Sequence, residues 1–405
     1  ILQNKIFNFI MQLSKQIIRA KKATQFMFLI CGLGLSSWAP MVPFVKDRLS
    51  INEIDLGLLL LLLGLGALIM MPLSGFLMHK IGSRKIIGIG ALIVAFTLPL
   101  LLVIPTYWGM SIALFIFGCG IGTVDVAMNA HGVQVQNLFG KPIMSSLHGL
   151  FSVGGLLGSL GLGFLMKIGF HPLYAALIIS ALLLVILLAK YKNLFDKNFE
   201  KETIQKFTQV KDDTLPIQKF QWLNGTIFLL GFLCFSVFLS EGAMLDWSAI
   251  FLRDLKGVPL EYSGMGYASF SIAMAFMRLT GDRIVERLSP KIIVVSGSFM
   301  AVFGLLLAIF SLWLPLVVLG FILLGIGAAN IIPIFFSEGG KIPGVSPNIS
   351  ISAITTLGYA GQLAGPAILG FIAHKFSLQV AFGTIALLLL MVAVIYGFRK
   401  INKHG

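Results

Sequence analysis

Residues Phe44-Val45-Lys46-Asp47 recur 207 positions later as Phe251-Leu252-Arg253-Asp254. The recurrence continues through segments too apolar for water. Gly57 returns as Gly264, Gly118-x-Gly120 as Gly325-x-Gly327, Gly158 as Gly365 and Gly163-Phe164 as Gly370-Phe371. No insertion is needed between these anchors, so the chain is two tandem halves with the same spacing throughout.

Composition says what medium the halves occupy. Hydrophobic residues make up 57% of the chain and charged ones 11%, whereas soluble domains carry roughly 25% charged residues. There are too few charges to cover a water-facing surface. The formal charge of +14 is not a nucleic-acid patch, because the basic residues sit at the ends of apolar runs. Cys31, Cys119 and Cys234 lie inside apolar stretches without metal-ligand spacing. They read as small buried hydrophobes and imply neither a disulfide framework nor a metal site.

A run of roughly 20 apolar residues crosses a hydrocarbon core about 30 Å thick. Twelve such spans are predicted, at 25–45, 55–78, 86–105, 108–137, 143–167, 172–190, 222–252, 261–281, 291–311, 313–337, 349–373 and 377–398. The domain reading follows: an N-terminal segment 1–24, a six-helix bundle 25–190, a polar linker 191–221, a second bundle 222–398 and a tail 399–405. The fold class is all-α membrane protein, with two pseudo-symmetric six-helix bundles. Tandem halves of several spans each are the layout of secondary transporters, whose substrate site lies near the bilayer midplane at the repeat interface.

Lysine and arginine set the orientation. With both termini cytoplasmic, 24 basic residues fall on the inner side and 6 on the outer (Lys46, Arg48, Lys167, Arg253, Lys256 and Lys375), a clear positive-inside bias. The expected location is therefore a bacterial-type inner membrane. In the first 22 residues, Ile6, Phe9, Ile10, Leu13, Ile17 and Ile18 set against Lys5, Lys15 and Arg19 suggest an interfacial amphipathic helix. No apolar core followed by a small-residue cleavage site appears there.

The turn after the second span reads Gly75-Phe-Leu-Met-His79-Lys80-Ile-Gly82-Ser-Arg84-Lys85. It resembles the G-x-L-x-D-R-x-G-R-R/K loop of the major facilitator superfamily, with His79 in place of the usual Asp. Its echo, Ile284-Val-Glu286-Arg287-Leu-Ser289-Pro-Lys291, keeps an acid at the equivalent position. The resemblance covers about residues 25–398 and implies a transporter working by alternating access. Within the superfamily, Gly118-Cys-Gly120-Ile-Gly122-Thr-Val-Asp125-Val-Ala-Met-Asn129 is similar to the fourth span of the fucose–proton symporter group, where an acid precedes an Asn by four residues. That group also carries an acid in its first span, where this chain has Ser36-Ser37-Trp38.

An ionisable side chain at bilayer depth is costly and marks a site by default. Gly118, Gly122, Asp125 and Asn129 share one helical face. Asp125 then points into protein or a wet cavity, where burial penalises the charged carboxylate, as proton coupling requires. The alternatives are a structural Asp capped by hydroxyls and a direct substrate ligand. In the seventh span Glu241 and Asp246 are five apart, about 140° around the helix. Glu241 reads as a proton-coupling group of the site and Asp246 as an outer gate, with Trp247 an interfacial belt residue.

His148, Ser152, Gly155 and Ser159 line one face of the fifth span. Their counterparts in the eleventh are Thr355, Tyr359, Gln362 and Pro366. A polar face recurring in both halves belongs in a cavity rather than in lipid. His148 is a third candidate for proton coupling, the alternative being a hydrogen-bonded core histidine. Ser37, Trp38, Asn129, Ser152, Tyr267, Asn330, Thr355, Tyr359 and Gln362 are the candidate substrate contacts. Arg84, Glu286 and Arg287 in the loop copies join Asp246 as gate residues. Arg278 is expected to meet Glu338 in a closing contact. His131 reads as a gate or helix-end residue.

The leading expectation is a proton-coupled transporter of a small polar solute. It would work as a monomer in the lipid bilayer, with protons as co-substrate and no cofactor, metal or nucleic-acid partner. The alternative is a proton-driven exporter of amphipathic compounds. Gly361-x3-Gly365-Pro366-x3-Gly370 resembles the glycine–proline signature of exporters, though close helix packing also explains it. An enzyme is disfavoured, since no phosphate-cradling loop, metal cluster or nucleophile–base pair is present in the sequence. A receptor without transport is the remaining class.

Overall fold

A computed structural model describes residues 2–51, 53–208, 224–258 and 265–399. Every regular element among them is helical: α1 Leu2–Ser37, α2 Val42–Leu49, α3 Glu53–Ile81, α4 Ser83–Leu100, α5 Tyr107–Phe139, α6 Met144–Lys167, α7 Pro172–Tyr191, α8 Lys197–Thr208, α9 Gly225–Ile250, α10 Met265–Arg287, α11 Pro290–Phe310, α12 Leu314–Ala328, α13 Ile331–Gly339, α14 Pro347–Lys375 and α15 Leu378–Phe398. Ten helices among the described residues are long and apolar enough to cross a membrane, counting α12 with α13 as one. With α1–α2 and the more polar α10 they form the twelve rods of the expected fold. The linker beyond residue 208, positions 261–264 of the eighth span and residues 400–405 of the tail lie outside the described residues. So do the side chains of Ile6, Phe9, Ile10 and Pro366.

Two rods are broken, each by proline. The first span stops at Ser37, passes through a 3-10 turn at Ala39–Met41 and resumes as α2. Pro40 and Pro43 lack the N–H groups that would continue the ladder. The tenth span breaks between α12 and α13. Pro333 has no N–H to give to the carbonyl four residues back, Ala329, which is left without its helical partner. A side chain of another helix supplies the missing donor, as described below.

Backbone packing explains why glycines are the residues that repeat. A Cβ at Gly118 on α5 would collide with the carbonyl oxygen of Leu63 on α3. At Gly325 on α12 it would collide with that of Phe270 on α10, and both residues of the first pair map to the second at +207. Gly154 of α6 meets the carbonyl of Leu29 on α1, and Gly361 of α14 meets that of Phe235 on α9. Small residues let apolar helices approach closely where no hydrophobic force drives them together. What recurs between the halves is thus a set of helix crossings.

The chain divides into two compact units, residues 1–224 with Ser337–Ala353, and Gly225–Phe336 with Ile354–Gly405. Residues 337–353, from the second sequence half, pack within the first unit. There Gln134 donates to Asn348 at 3.2 Å and Ser352 Oγ donates to the Met71 carbonyl at 2.6 Å. In the first unit α5 is central, packed against α1, α3 and α4, and its residues from Gly120 through Gln136 are buried without interruption.

Candidate functional sites within the two units

In the first unit, Asp125 sits halfway along α5 with 3% of its surface exposed, and Asn129 one turn later is fully buried. Asn129 Nδ2 donates to the Asp125 carbonyl at 2.9 Å and lies 3.5 Å from its Oδ1. Asn129 Oδ1 has no hydrogen-bond partner among the described residues. A buried amide oxygen without a donor costs about 1–3 kcal/mol. Two residues before Asp125, Thr123 accepts from Ser74 of α3 at 3.3 Å.

The helix α6 separates three functions by face. At about 100° per residue, Gly154 and Gly158 lie together against α1, where Leu29 and Leu33 present their carbonyls. Leu156, Leu157, Leu160 and Phe164 are exposed. Between these faces runs the expected stripe of His148, Ser152, Gly155 and Ser159, all half-buried. Ser152 Oγ returns to the His148 carbonyl at 3.2 Å, and the imidazole packs edge-on against Phe28, ring centres 5.3 Å apart. Ser37 is buried and spends its hydroxyl on the Leu33 carbonyl at 2.7 Å. Trp38 lies in the helix break, buried, with Nε1 unpartnered.

The second unit holds a different arrangement. Arg278 of α10 donates from Nη2 to Glu241 Oε1 of α9 at 2.8 Å. Its Nε donates to Ala329 O at 3.2 Å, the carbonyl that Pro333 orphaned. One guanidinium therefore neutralises a buried acid and satisfies a helix break. The side chains are 8% and 16% exposed, so neither charge has bulk water to fall back on. Arg278, expected to close against Glu338, makes its ion pair with Glu241. The geometry, a planar fork reaching two acceptors, needs arginine rather than lysine.

Elsewhere in this unit, buried Asn330 Oδ1 in the break and the buried Thr355 hydroxyl on α14 have no hydrogen-bond partner among the described residues. Tyr359 stacks at 4.9 Å on Phe238. Gln362 backs onto Gly242 of α9, and Tyr267 is 38% exposed near the start of α10. Asp246 is exposed, so only Glu241 of the two α9 acids is committed to an ion pair. Trp247 does not face outward as a belt residue would. Its six-membered ring packs on Gly370 of α14. The loop residues Glu286 and Arg287 are exposed, Glu338 is half-buried and Arg84 lies over the Tyr191 ring at 4.7 Å.

Sequence reasoning missed how the linker docks on the first unit. His131 Nδ1 donates to Thr24 Oγ1 at 2.9 Å, because the Thr24 proton goes to the Ala20 carbonyl. His131 Nε2 then accepts the Phe195 N–H at 3.0 Å. These bonds fix a neutral imidazole with its proton on Nδ1. Further on, Glu200 of α8 accepts from Ser83 N at 2.9 Å and pairs with the Ser83 hydroxyl. Helix α4 has no side-chain cap of its own at Gly82, whose φ of 84° suits only glycine, so the linker carboxyl supplies the cap. Burial pushes the Glu200 carboxyl up to about 7, against the Ser83 hydrogen bonds that hold it down. An acid in a polar linker carries no sequence signal for this role.

Comparison with known proteins is consistent throughout. A family profile described as Major Facilitator Superfamily matches residues 25–342. An uncharacterised MFS-type transporter of Yersinia pestis is 44% identical over 376 residues, covering 93% of this chain and 94% of the relative. The solved Escherichia coli fucose:proton symporter FucP, as a variant, superposes with a TM-score of 0.78 at 14% identity, covering 96% of this chain and 100% of FucP. The proton:xylose symporter XylE, bound to 6-bromo-6-deoxy-D-glucose, gives 0.74 at 13% identity over 94% of this chain and 95% of its own.

Proposed function

The chain belongs to the major facilitator superfamily and is a multi-pass membrane transporter, and we propose that it couples the movement of a small polar solute to protons through Asp125. The single observation that carries this reading is a carboxylate only 3% exposed at the centre of the most enclosed span. Its neighbour on the same face, Asn129, holds an unsatisfied amide oxygen. Burial penalises the charged form of a carboxyl, whereas an arginine bonded to the acid favours it. On this reading Asp125 is the group that changes protonation and Glu241 is held in reserve by Arg278. The polar stripes of α6 and α14 meet the solute.

Two proteins of the same fold, FucP and XylE, are proton symporters of sugars, which favours a polyhydroxylated solute and inward coupling. The positive-inside bias of 24 basic residues to 6 supports cytoplasmic termini, and an inner-membrane location follows for a bacterial host. Transport proceeds by the two halves alternately opening the site to each side, by a single chain.

The test uses the purified chain in liposomes enclosing a pH-sensitive dye. Monosaccharides and sugar alcohols are added outside, one at a time. At least one solute moves protons inward with itself. A solute taken up against its gradient with no proton movement would refute proton coupling while leaving transport in place.

A further inference from the structure

Beside the docked linker, where α1, α4 and the chain leaving α7 meet, a cavity of about 440 Å³ opens to the surface. Lys15 and Arg19 of α1, Arg84 of α4 and Lys192 after α7 line it, with Asp196 as the one acid. These come from segments far apart in sequence, so only the fold gathers them. None of the four cations forms an ion pair among the described residues. Asp196, whose Oδ1 accepts the Phe199 N–H at 3.0 Å as a cap of α8, offsets only one of the four cations. Arg84 is held in place by its contact with the Tyr191 ring at 4.7 Å.

Four cations facing one cavity repel one another unless an anion joins them. Two of them are arginines, whose forked donors match the oxygens of a phosphate. The cavity lies where the spans give way to polar sequence. Neither the substrate site nor proton coupling uses these residues. We propose that this cavity binds a phosphate-bearing anion, either the headgroup of an anionic lipid or free phosphate, which ties α1 and α4 to the start of the linker.

The full-length protein is compared in three settings: nanodiscs of phosphatidylcholine alone, nanodiscs with added phosphatidylglycerol, and detergent with inorganic phosphate. Melting temperature and retained lipid, the latter by native mass spectrometry, are read for wild type, for Arg19→Gln/Lys192→Gln and for Lys22→Gln/Lys85→Gln. The last pair removes two exposed cations from outside the cavity, and Arg84→Lys keeps the charge but loses the fork. Phosphatidylglycerol retained by wild type and by the outer control, but held about tenfold more weakly by the cavity variant, assigns the site to lipid. Stabilisation by inorganic phosphate in detergent that vanishes only in the cavity variant assigns it to the free anion. Equal behaviour of the cavity variant and the outer control, or no preference of wild type for either probe over phosphatidylcholine and chloride, overturns the proposal.

Discussion

Removing Arg278 should damage the protein more than removing both Arg278 and Glu241. In Arg278→Met the Glu241 carboxyl is left without its counter-ion where its side chain is only 16% exposed, and the Ala329 carbonyl loses its donor. Breaking a buried pair by deleting one member costs about 3–5 kcal/mol, because the other charge is left uncompensated. In Glu241→Gln/Arg278→Met no buried charge remains, and the loss should fall to about 1–3 kcal/mol, the cost of the orphaned carbonyl. Arg278→Lys is the finer probe. A single ammonium keeps the charge near Glu241 but cannot reach both acceptors in the arginine geometry. It should cost about 1.5–3 kcal/mol, the worth of a hydrogen bond to a charged group. Thermal unfolding of all three variants in one detergent ranks them directly. If Arg278→Met unfolds no earlier than the double variant, the pair is not the buried charge centre inferred here.

Linker docking should respond to pH through Glu200. Its folded value of about 7 lies above the ordinary 4.5, so its contribution is fully present below 4.5 and lost as pH rises through 7. The gap amounts to about 3 kcal/mol. Proteolysis within α8 should be faster at pH 8 than at pH 6 in wild type and unchanged with pH in Glu200→Gln; equal pH dependence in the two contradicts the assignment. Gly118→Val and Gly325→Val should each cost more than the 1–3 kcal/mol typical of overpacking, since the obstacle is backbone in both cases. Gly163→Ala meets open space and should leave stability within about 0.5 kcal/mol of wild type, read as an unchanged melting temperature. His131→Phe fills similar space but strands the Phe195 N–H, and should loosen the linker by about 1–3 kcal/mol, read as faster hydrogen exchange at residues 192–196.

The repeat made the fold legible because helix crossings are fixed by backbone approach, and only glycine permits the closest ones. Gly118 and Gly325 carry that information in their identity. The span limits were legible for the same physical reason that the chain inserts at all: apolar length must match the bilayer. Site geometry was less accessible. Asp125 and Asn129 could be paired from their spacing of four. The partner of Arg278 could not, because Glu241 lies 37 residues away on another helix and the decisive carbonyl is created by Pro333. Glu200 and His131 were opaque, since both act on backbone N–H groups, which have no identity in a sequence. The cationic cavity was hidden in another way. Its residues were all counted toward membrane orientation, and nothing in their spacing says that four of them converge.

The central claim is that Asp125 carries the coupled proton, and substrate counterflow compared with proton-driven accumulation in Asp125→Asn tests it most directly. Counterflow exchanges solute with no net proton movement, so the variant should retain it near the wild-type rate while losing accumulation driven by an inward proton gradient. Proton-driven accumulation that survives in Asp125→Asn would contradict the account and move the coupling group elsewhere.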